Sequence, residues 1–381
     1  MKNKITILHV VPTLSLAGTE LFVLNNFRAI DKERFQFAFL AFSDKYNNLE
    51  KEIREMGGDV YCCNLDFNSI YFLLKNIFKL RSILKELDYD ILHCHISSFC
   101  GPIFLASFLA GKKLCVAHSH FSSYEKPSGG VLRRFVYEKL LPSFMLRLGK
   151  SFCACSDEAG KALFGESANY VIINNAIDAF RFSNYDQDNI DALRTELRIP
   201  EGVKVYGNFS RFAKPKNIPF VVDIFNEIHK MEKSAVLILA GKKEGYYENT
   251  LEKISNCGLS DSVRILGQRE DVNVLLQIAD CIIFPSTNEG FGYLAIEAQA
   301  ASTPVVLSDC IPKNVDLGLG LVKRVSLSEN AKHWAEEAVS ARKTLFDKSL
   351  IESTLENHGL SIKTNVKSLE TLYSSIISHD S

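Results

Sequence analysis

The chain has 381 residues, of which 46% are hydrophobic and 23% charged. At about 150 residues per domain this length suits two domains with a core each, which excludes a small disulfide scaffold and a disordered chain. Forty-four Lys and Arg against 45 Asp and Glu leave a net charge of -1, so no overall field holds a polyanion and nucleic acid is not an expected partner.

No apolar run reaches the roughly 18 to 20 residues that cross a bilayer. The opening MKNKITILHVVP passes from two lysines into an apolar run with no cleavage-like site behind it, and it reads as a first strand, not a leader. The ten cysteines follow neither a disulfide nor a zinc grammar, since Cys62-Cys63 and Cys153-Ala154-Cys155 lack the two-residue gap of a metal knuckle. Reduced thiols in a cytoplasmic protein are therefore expected, with Cys115 and Cys281 serving as small hydrophobes in apolar runs.

Short β-type runs recur at 5–11, 35–42, 59–63, 91–95, 114–118, 152–155 and 170–173. Helical patterns lie between them. Over 70–87, for example, Ile70, Leu73, Leu74, Ile77, Leu80, Leu84 and Leu87 fall on one helical face. After the polar stretch 184–198 and the turn Pro200-Glu201-Gly202, the alternation restarts at 203–209, 235–240, 263–266, 281–284 and 304–307. This predicts an α/β fold of two doubly wound, Rossmann-like domains, 1–184 and 185–358, followed by a C-terminal helix within 359–381 that must bury an apolar face. Open parallel sheets bind ligands at the C-terminal ends of their strands, so a cleft with the two domains facing each other is the expected site.

The most informative stretch is Pro285-Ser-Thr-Asn-Glu289-Gly290-Phe291-Gly292-Tyr293-Leu294-Ala-Ile-Glu297, directly after the run 281–284. Glu289 falls in the loop and Glu297 inside the next helix, about 10 to 12 Å apart at ~1.5 Å per residue. That separation suits two ends of one extended ligand, not a catalytic carboxylate pair. The glycines let backbone approach closely, and the helix start offers free N–H groups to an anion. A ligand with a central diphosphate and a polyol at each end fits, with Glu297 accepting from a ribose and Glu289 from a sugar. The plain alternative is one solvated loop glutamate and one helix-face glutamate.

Upstream, Ser210-Arg211-Phe212-Ala213-Lys214-Pro215-Lys216-Asn217 follows the run 203–209. Arg211 and Lys216 are the expected cations for a diphosphate, against the alternative of a solvated basic loop. In the first half, Ala17-Gly18-Thr19-Glu20 leads from the first strand into a helix and is a weaker phosphate-compatible loop. Two histidine pairs end strands, His93-Cys94-His95 and His118-Ser119-His120. Either His118 or His120 would meet a sugar hydroxyl at the cleft edge, and structural strand-capping is the competing role. The acidic pairs Asp88/Asp90 and Asp186/Asp188 sit at a strand's wrong end and in the polar linker, so no metal is expected. Residues 133–150 carry five basic residues and one acid along an apolar helical face, which fits an anionic membrane surface or an ordinary core-covering helix.

Together these pieces resemble the GT-B retaining glycosyltransferases of group 1, or family 4, particularly members that build surface polysaccharide. The resemblance covers nearly the whole chain and rests on AGTE (17–20), AHSH (117–120), CACSDEAGKALFG (153–165), NNAID (174–178), FSRFAKPKN (209–217), LAG (239–241), LGQREDV (266–272) and PSTNEGFGYLAIEAQA. It implies a nucleotide-sugar donor, a UDP-sugar by preference, and a saccharide or lipid-linked acceptor. It further implies that Glu297 holds the ribose, that Glu289 and the backbone of Phe291 to Leu294 hold the sugar and phosphates, that Arg211 and Lys216 hold the diphosphate, and that Gly18 closes over the phosphates. A histidine near the sugar, metal independence and retention also follow from the resemblance; as the sequence shows no evident nucleophile, a front-face displacement is the expected route. Ala17, Ala176 and Ala301 depart from glycines usual in the family. Two other readings stand beside this one: a catalytically silent nucleotide-sugar-binding partner, and a sugar-nucleotide epimerase of the same architecture.

Overall fold

The computed structural model describes residues 4–15, 18–43, 49–65, 70–121 and 130–378; Ala17 lies outside them. Thirteen strands form two sheets among these residues. The first sheet contains β1 (Ile5–Val11), β2 (Phe35–Ala41), β3 (Asp59–Cys62), β4 (Ile91–Cys94), β5 (Cys115–Ser119), β6 (Ser151–Ala154) and β7 (Val171–Ile172). The second contains β8 (Val205–Asn208), β9 (Val236–Ala240), β10 (Val263–Gly267), β11 (Cys281–Phe284), β12 (Val305–Ser308) and β13 (Val322–Val325). Their orders are β3-β2-β1-β4-β5-β6-β7 and β10-β9-β8-β11-β12-β13, and neighbouring strands pair in parallel throughout. Chain order reverses at β1/β4 and at β8/β11, the point where open parallel sheets leave a crevice.

Strands β4, β5, β9, β11 and β12 are buried along their whole length, as expected where helices cover both faces. This is why they read as continuous apolar runs. The strand β13 has no counterpart among the expected runs. It lies at the edge of its sheet and carries Lys323 and Arg324, charges that keep an edge from pairing further.

The chain divides into two compact units, Met1–Ala176 with Gly359–Ser381, and Ile177–His358. The boundary thus falls before residue 177, not after 184 as the polar stretch suggested. The reason is local: Phe182 is buried, Gln277 Nε2 donates to the carbonyls of Phe182 and Asn184 at 3.0 and 3.1 Å, and the Tyr185 hydroxyl donates to Ala301 O. These contacts fasten 177–185 to the second unit.

The C-terminal helix Ile362–Ser378 belongs to the first unit, where Ile362, Val366, Leu369, Leu372, Tyr373 and Ile376 join the core on one face of the sheet. At ~1.5–3 kcal/mol for each large apolar side chain fully buried, this face accounts for most of the helix's attachment. The Tyr373 hydroxyl also reaches His93 Nδ1 at 2.7 Å. The amphipathic segment of 133–150 is a helix from Val131 to Leu148 with a π turn at Val136–Leu140. Pro142, two residues beyond that turn, lacks the N–H that a regular helical ladder needs.

Candidate active site

In the second unit, the loops after β8, β9 and β11 converge. Asn208 ends β8 and donates from Nδ2 to Ile283 O of β11 at 2.8 Å, tying the two strands at the reversal point. Gly241 follows β9, and a Cβ placed there would lie 2.0 Å from Ser210 O, so the two loops touch backbone to backbone. On this turn stands Arg211, whose Nη1 donates to both Glu244 oxygens at 3.0 and 3.1 Å. Lys242 Nζ lies 3.7 Å from the same carboxylate.

Lys216 ends a short turn, and Asn217 takes a left-handed conformation at φ 54 before the helix Ile218–Met231 begins. Asn217 Nδ2 donates to Pro285 O at 3.2 Å, and Thr287 N donates to Pro215 O at 2.8 Å. The Lys216 ammonium forms an ion pair with Glu289, whose side chain is only 8% exposed. Three contacts therefore clamp the 214–217 turn onto the loop that carries Glu289.

That loop ends at Gly292, in the left-handed region at φ 86, and the helix Tyr293–Ala300 starts at once. A side chain at Gly292 would also meet Val315 at 3.2 Å and Ile311 at 3.3 Å, whereas nothing lies within 4 Å of a Cβ at Gly290. The Phe291 and Tyr293 rings pack edge to face at 4.9 Å, and Leu294 is buried. The helix start presents free N–H groups and its positive dipole end at the loop.

Glu297 lies four residues beyond Tyr293 on the same helix. Its carboxyl makes no hydrogen bond among the described residues, and burial pushes its pKa up to about 7 against the opposing pull of the Arg181 guanidinium. The side chain is half-buried, so the carboxyl keeps an open side on which a ligand's hydroxyl donors would fit.

In the first unit, Gly18 opens the helix Gly18–Ala29 beyond β1 and is exposed, while Thr19 and Glu20 are buried. His118 and His120 differ. His118 is buried within β5, with 0% of its surface exposed, so it has no face to offer a sugar. His120 follows the end of β5 and keeps partial exposure, with Nε2 at 2.9 Å from His95 Nδ1. Burial lowers the His120 pKa to about 3, and the ring is neutral at physiological pH.

The acidic pairs serve the backbone. Asp90 accepts from Thr6 N at 2.8 Å, and Asp186 caps the helix Gln187–Glu196 by accepting from the N–H groups of Asp188 and Asn189. Sequence reasoning missed Glu244, which orients Arg211, and Arg181, which faces Glu297. Neither carries a local signal, because each meets its partner only through the folded chain.

Residues 16–181 match the Glycosyltransferase Family 4 family model, and residues 189–334 match Glycosyl transferases group 1. The chain is 31% identical over 376 residues to the putative glycosyltransferase EpsF of Bacillus subtilis strain 168, covering 96% of both chains. This chain belongs to the family 4 glycosyltransferases. A capsular polysaccharide biosynthesis glycosyltransferase of Staphylococcus aureus, CapH, is 23% identical over 82% of this chain and 83% of its own. Among solved structures, a glycosyltransferase from Rickettsia africae superposes with a TM-score of 0.75 over 98% of this chain and 99% of its own, at 18% identity. Anabaena Alr3699/HepE in complex with UDP and glucose gives 0.74 over 97% of this chain and 100% of its own, also at 18% identity. These likenesses establish the fold as GT-B.

The close approach at Gly241 makes a specific test. In Gly241→Ala the added methyl must displace the Ser210–Arg211 backbone, so nucleotide affinity should fall at least tenfold by calorimetry while circular dichroism stays that of a folded chain. Unchanged affinity would show that this turn does not position Arg211 for the ligand.

Proposed function

We propose that this glycosyltransferase moves a sugar from a nucleotide donor, a UDP-sugar, to a saccharide or lipid-linked acceptor in cell-surface polysaccharide synthesis, with retention of configuration. The observation that carries the donor assignment is Glu297, a half-buried acid with no side-chain hydrogen bond among the described residues and a raised pKa, on the helix that Gly292 opens. A ribose supplies two adjacent hydroxyls to such a group. Arg211, Lys216 and the helix start then meet the diphosphate, Glu289 accepts from sugar hydroxyls, and His120 offers a neutral imidazole to the transferred sugar. Gly18 and Thr19, at the helix start after β1, are the other residues we assign to the phosphates. The HepE structure with UDP and glucose supports the uridine choice.

Charge on the leaving diphosphate is met by fixed cations and backbone dipoles, so no metal is required there. Glu289 is held by Lys216, which does not suit it to act as a nucleophile. This favours a front-face displacement in which the leaving phosphate assists the acceptor hydroxyl. The product should carry the donor's anomeric configuration by NMR, and a covalent glycosyl-enzyme seen by intact-protein mass spectrometry would sink this route.

Thermal unfolding with UDP, GDP and ADP tests the donor class. UDP at 100 times its dissociation constant should add about 2.7 kcal/mol, and Glu297→Ala should lose that gain. Hydroxyl donors favour the ionised acid, which is protonated in the free protein below about 7. Wild-type affinity should therefore tighten as pH rises through that value, with a proton released on binding below it. Stabilisation by none of the three nucleotides would overturn the nucleotide site proposed here.

We place the protein in the cytoplasm, at the inner face of the membrane. In the helix from Val131 to Leu148, Val131, Leu132 and Phe135 are 87%, 69% and 57% exposed, and the surrounding segment is net basic. No helix among the described residues is long and apolar enough to cross a membrane, so the contact would be peripheral. Co-sedimentation with anionic vesicles should fall as salt rises and should be lost in Leu132→Glu/Phe135→Glu. No sedimentation at any salt concentration would remove the idea.

A further inference from the structure

Strand periodicity in the first unit gathers five of the chain's nine histidines on one face of the sheet. In β1 and its neighbours, Leu8, Val10, Leu92, Cys94, Ala117 and Ala154 face one core. Ile7, Val11, Ile91, Val116 and Cys153 face the other. His9, His93 and His118 alternate with the first set and so face the second, followed by His95 and His120 just past their strands. Parallel register places His9 beside His93 and His118 beside Cys153. The rings stack closely, with His93–His118 centroids 5.4 Å apart and Phe22 4.7 Å from His118.

These imidazoles are not equally engaged. His95 is used at both nitrogens, by His9 Nδ1 at 3.0 Å and His120 Nε2 at 2.9 Å. His93 uses Nδ1 on the Tyr373 hydroxyl, and its Nε2 is buried without a partner. Neither nitrogen of His118 makes a well-formed hydrogen bond, its one polar neighbour being the Ile173 backbone, and the buried Cys153 thiol makes no hydrogen bond among the described residues. One ligand atom from each of His93, His118 and Cys153 lies within 4.8 Å of the others. A neutral imidazole carries one N–H and one lone pair, so edges of His118 left poorly met in a dry core cost stability.

We propose that His93, His118 and Cys153 form a structural site for a thiophilic d10 metal ion, zinc(II) or copper(I), in the core of the first unit. Two imidazoles and one thiolate are a ligand set that suits both ions. The Tyr373 hydroxyl on His93 Nδ1 fixes that ring and leaves Nε2 to face the metal, the outer contact that ligating histidines usually have. On binding, the S–H bond breaks, the metal–sulfur bond forms and the proton leaves to solvent, with no change of oxidation state. Copper(I) with one thiolate leaves no net charge in the core, and zinc(II) leaves one positive charge. Its three ligands all belong to the first unit, and Arg211 and Lys216 belong to the second. No spacing along the chain announces it, because its ligands come from β4, β5 and β6.

Because the ligands are buried, the ion must enter during folding. The full chain is expressed in medium supplemented with zinc and, separately, with copper, purified natively and analysed for both metals. About one equivalent of a single metal is expected in the wild type, less than a tenth of that in Cys153→Ala, and an unchanged amount in Cys115→Ala, a buried cysteine on the opposite face of the same sheet. Refolding the wild type with cobalt(II) should give a near-ultraviolet thiolate-to-cobalt charge-transfer band that Cys153→Ser lacks. Circular dichroism of each variant separates loss of metal from loss of fold. Wild-type protein free of both metals with no cobalt band, or metal retained fully by a folded Cys153→Ala, would overturn the proposal.

Discussion

In a parallel sheet every strand ends at the same edge and every second side chain enters the same layer. Most of what is chemically interesting in this protein follows from that constraint. In the second unit the edge rule brings the turns after β8, β9 and β11 together, so residues far apart in the chain share one small region. In the first unit the alternation rule sends His9, His93, His118 and Cys153 into one layer under the helices Gly18–Ala29 and Ile362–Ser378. The same sheet order thus yields a loop-built ligand region in one unit and a buried polar cluster in the other.

The two ion pairs in the second unit have different physical weights. Arg211 and Glu244 are half-exposed and partly exposed, with side chains 48% and 25% accessible, and such a pair is worth about 0–1 kcal/mol. Arg211 can therefore exchange its carboxylate for a phosphate at little cost. Lys216 and Glu289 are much less accessible, and removing either partner would strand a charge in a poorly solvated place. The first pair is an exchangeable counter-ion, whereas the second joins two loops and fixes where Glu289 presents its remaining oxygen. Backbone bonds from Thr287 to Pro215 and from Asn217 to Pro285 reinforce the second pair, so the region keeps its shape without relying on the ligand.

The strands and the two-sheet architecture were legible because fully buried parallel strands leave continuous apolar runs, and the glutamate-bearing loop because glycines and carboxylates cluster at one strand end. What escaped did so for identifiable reasons. Strand β13 is short, charged and at an edge. The five-residue helix Ala179–Ser183 is too brief for periodicity to place it in the second unit. Glu244 and Arg181 act through contacts that have no sequence neighbourhood. The histidine pairs were visible as pairs, but their convergence with His9 and Cys153 depends on strand order and register, which one sequence does not reveal.

Burial of titratable groups sets opposing demands on the two units. His9 and His120 are pushed down to about 3, and His93, His95 and His118 are lowered too, chiefly by burial. The unfolded chain binds protons at these positions below its ordinary value near 6.5 while the folded chain does not, so they remove stability as pH falls below that value. Glu297 works the other way: between the ordinary carboxylate value of 4.5 and about 7, the folded chain holds a proton that the unfolded chain has lost. Stability therefore declines as pH rises through that window and is flat above it. In the roles proposed for them, hydroxyl donors on a ligand would relieve the acid, and an ion using idle lone pairs would relieve part of the histidines' burden.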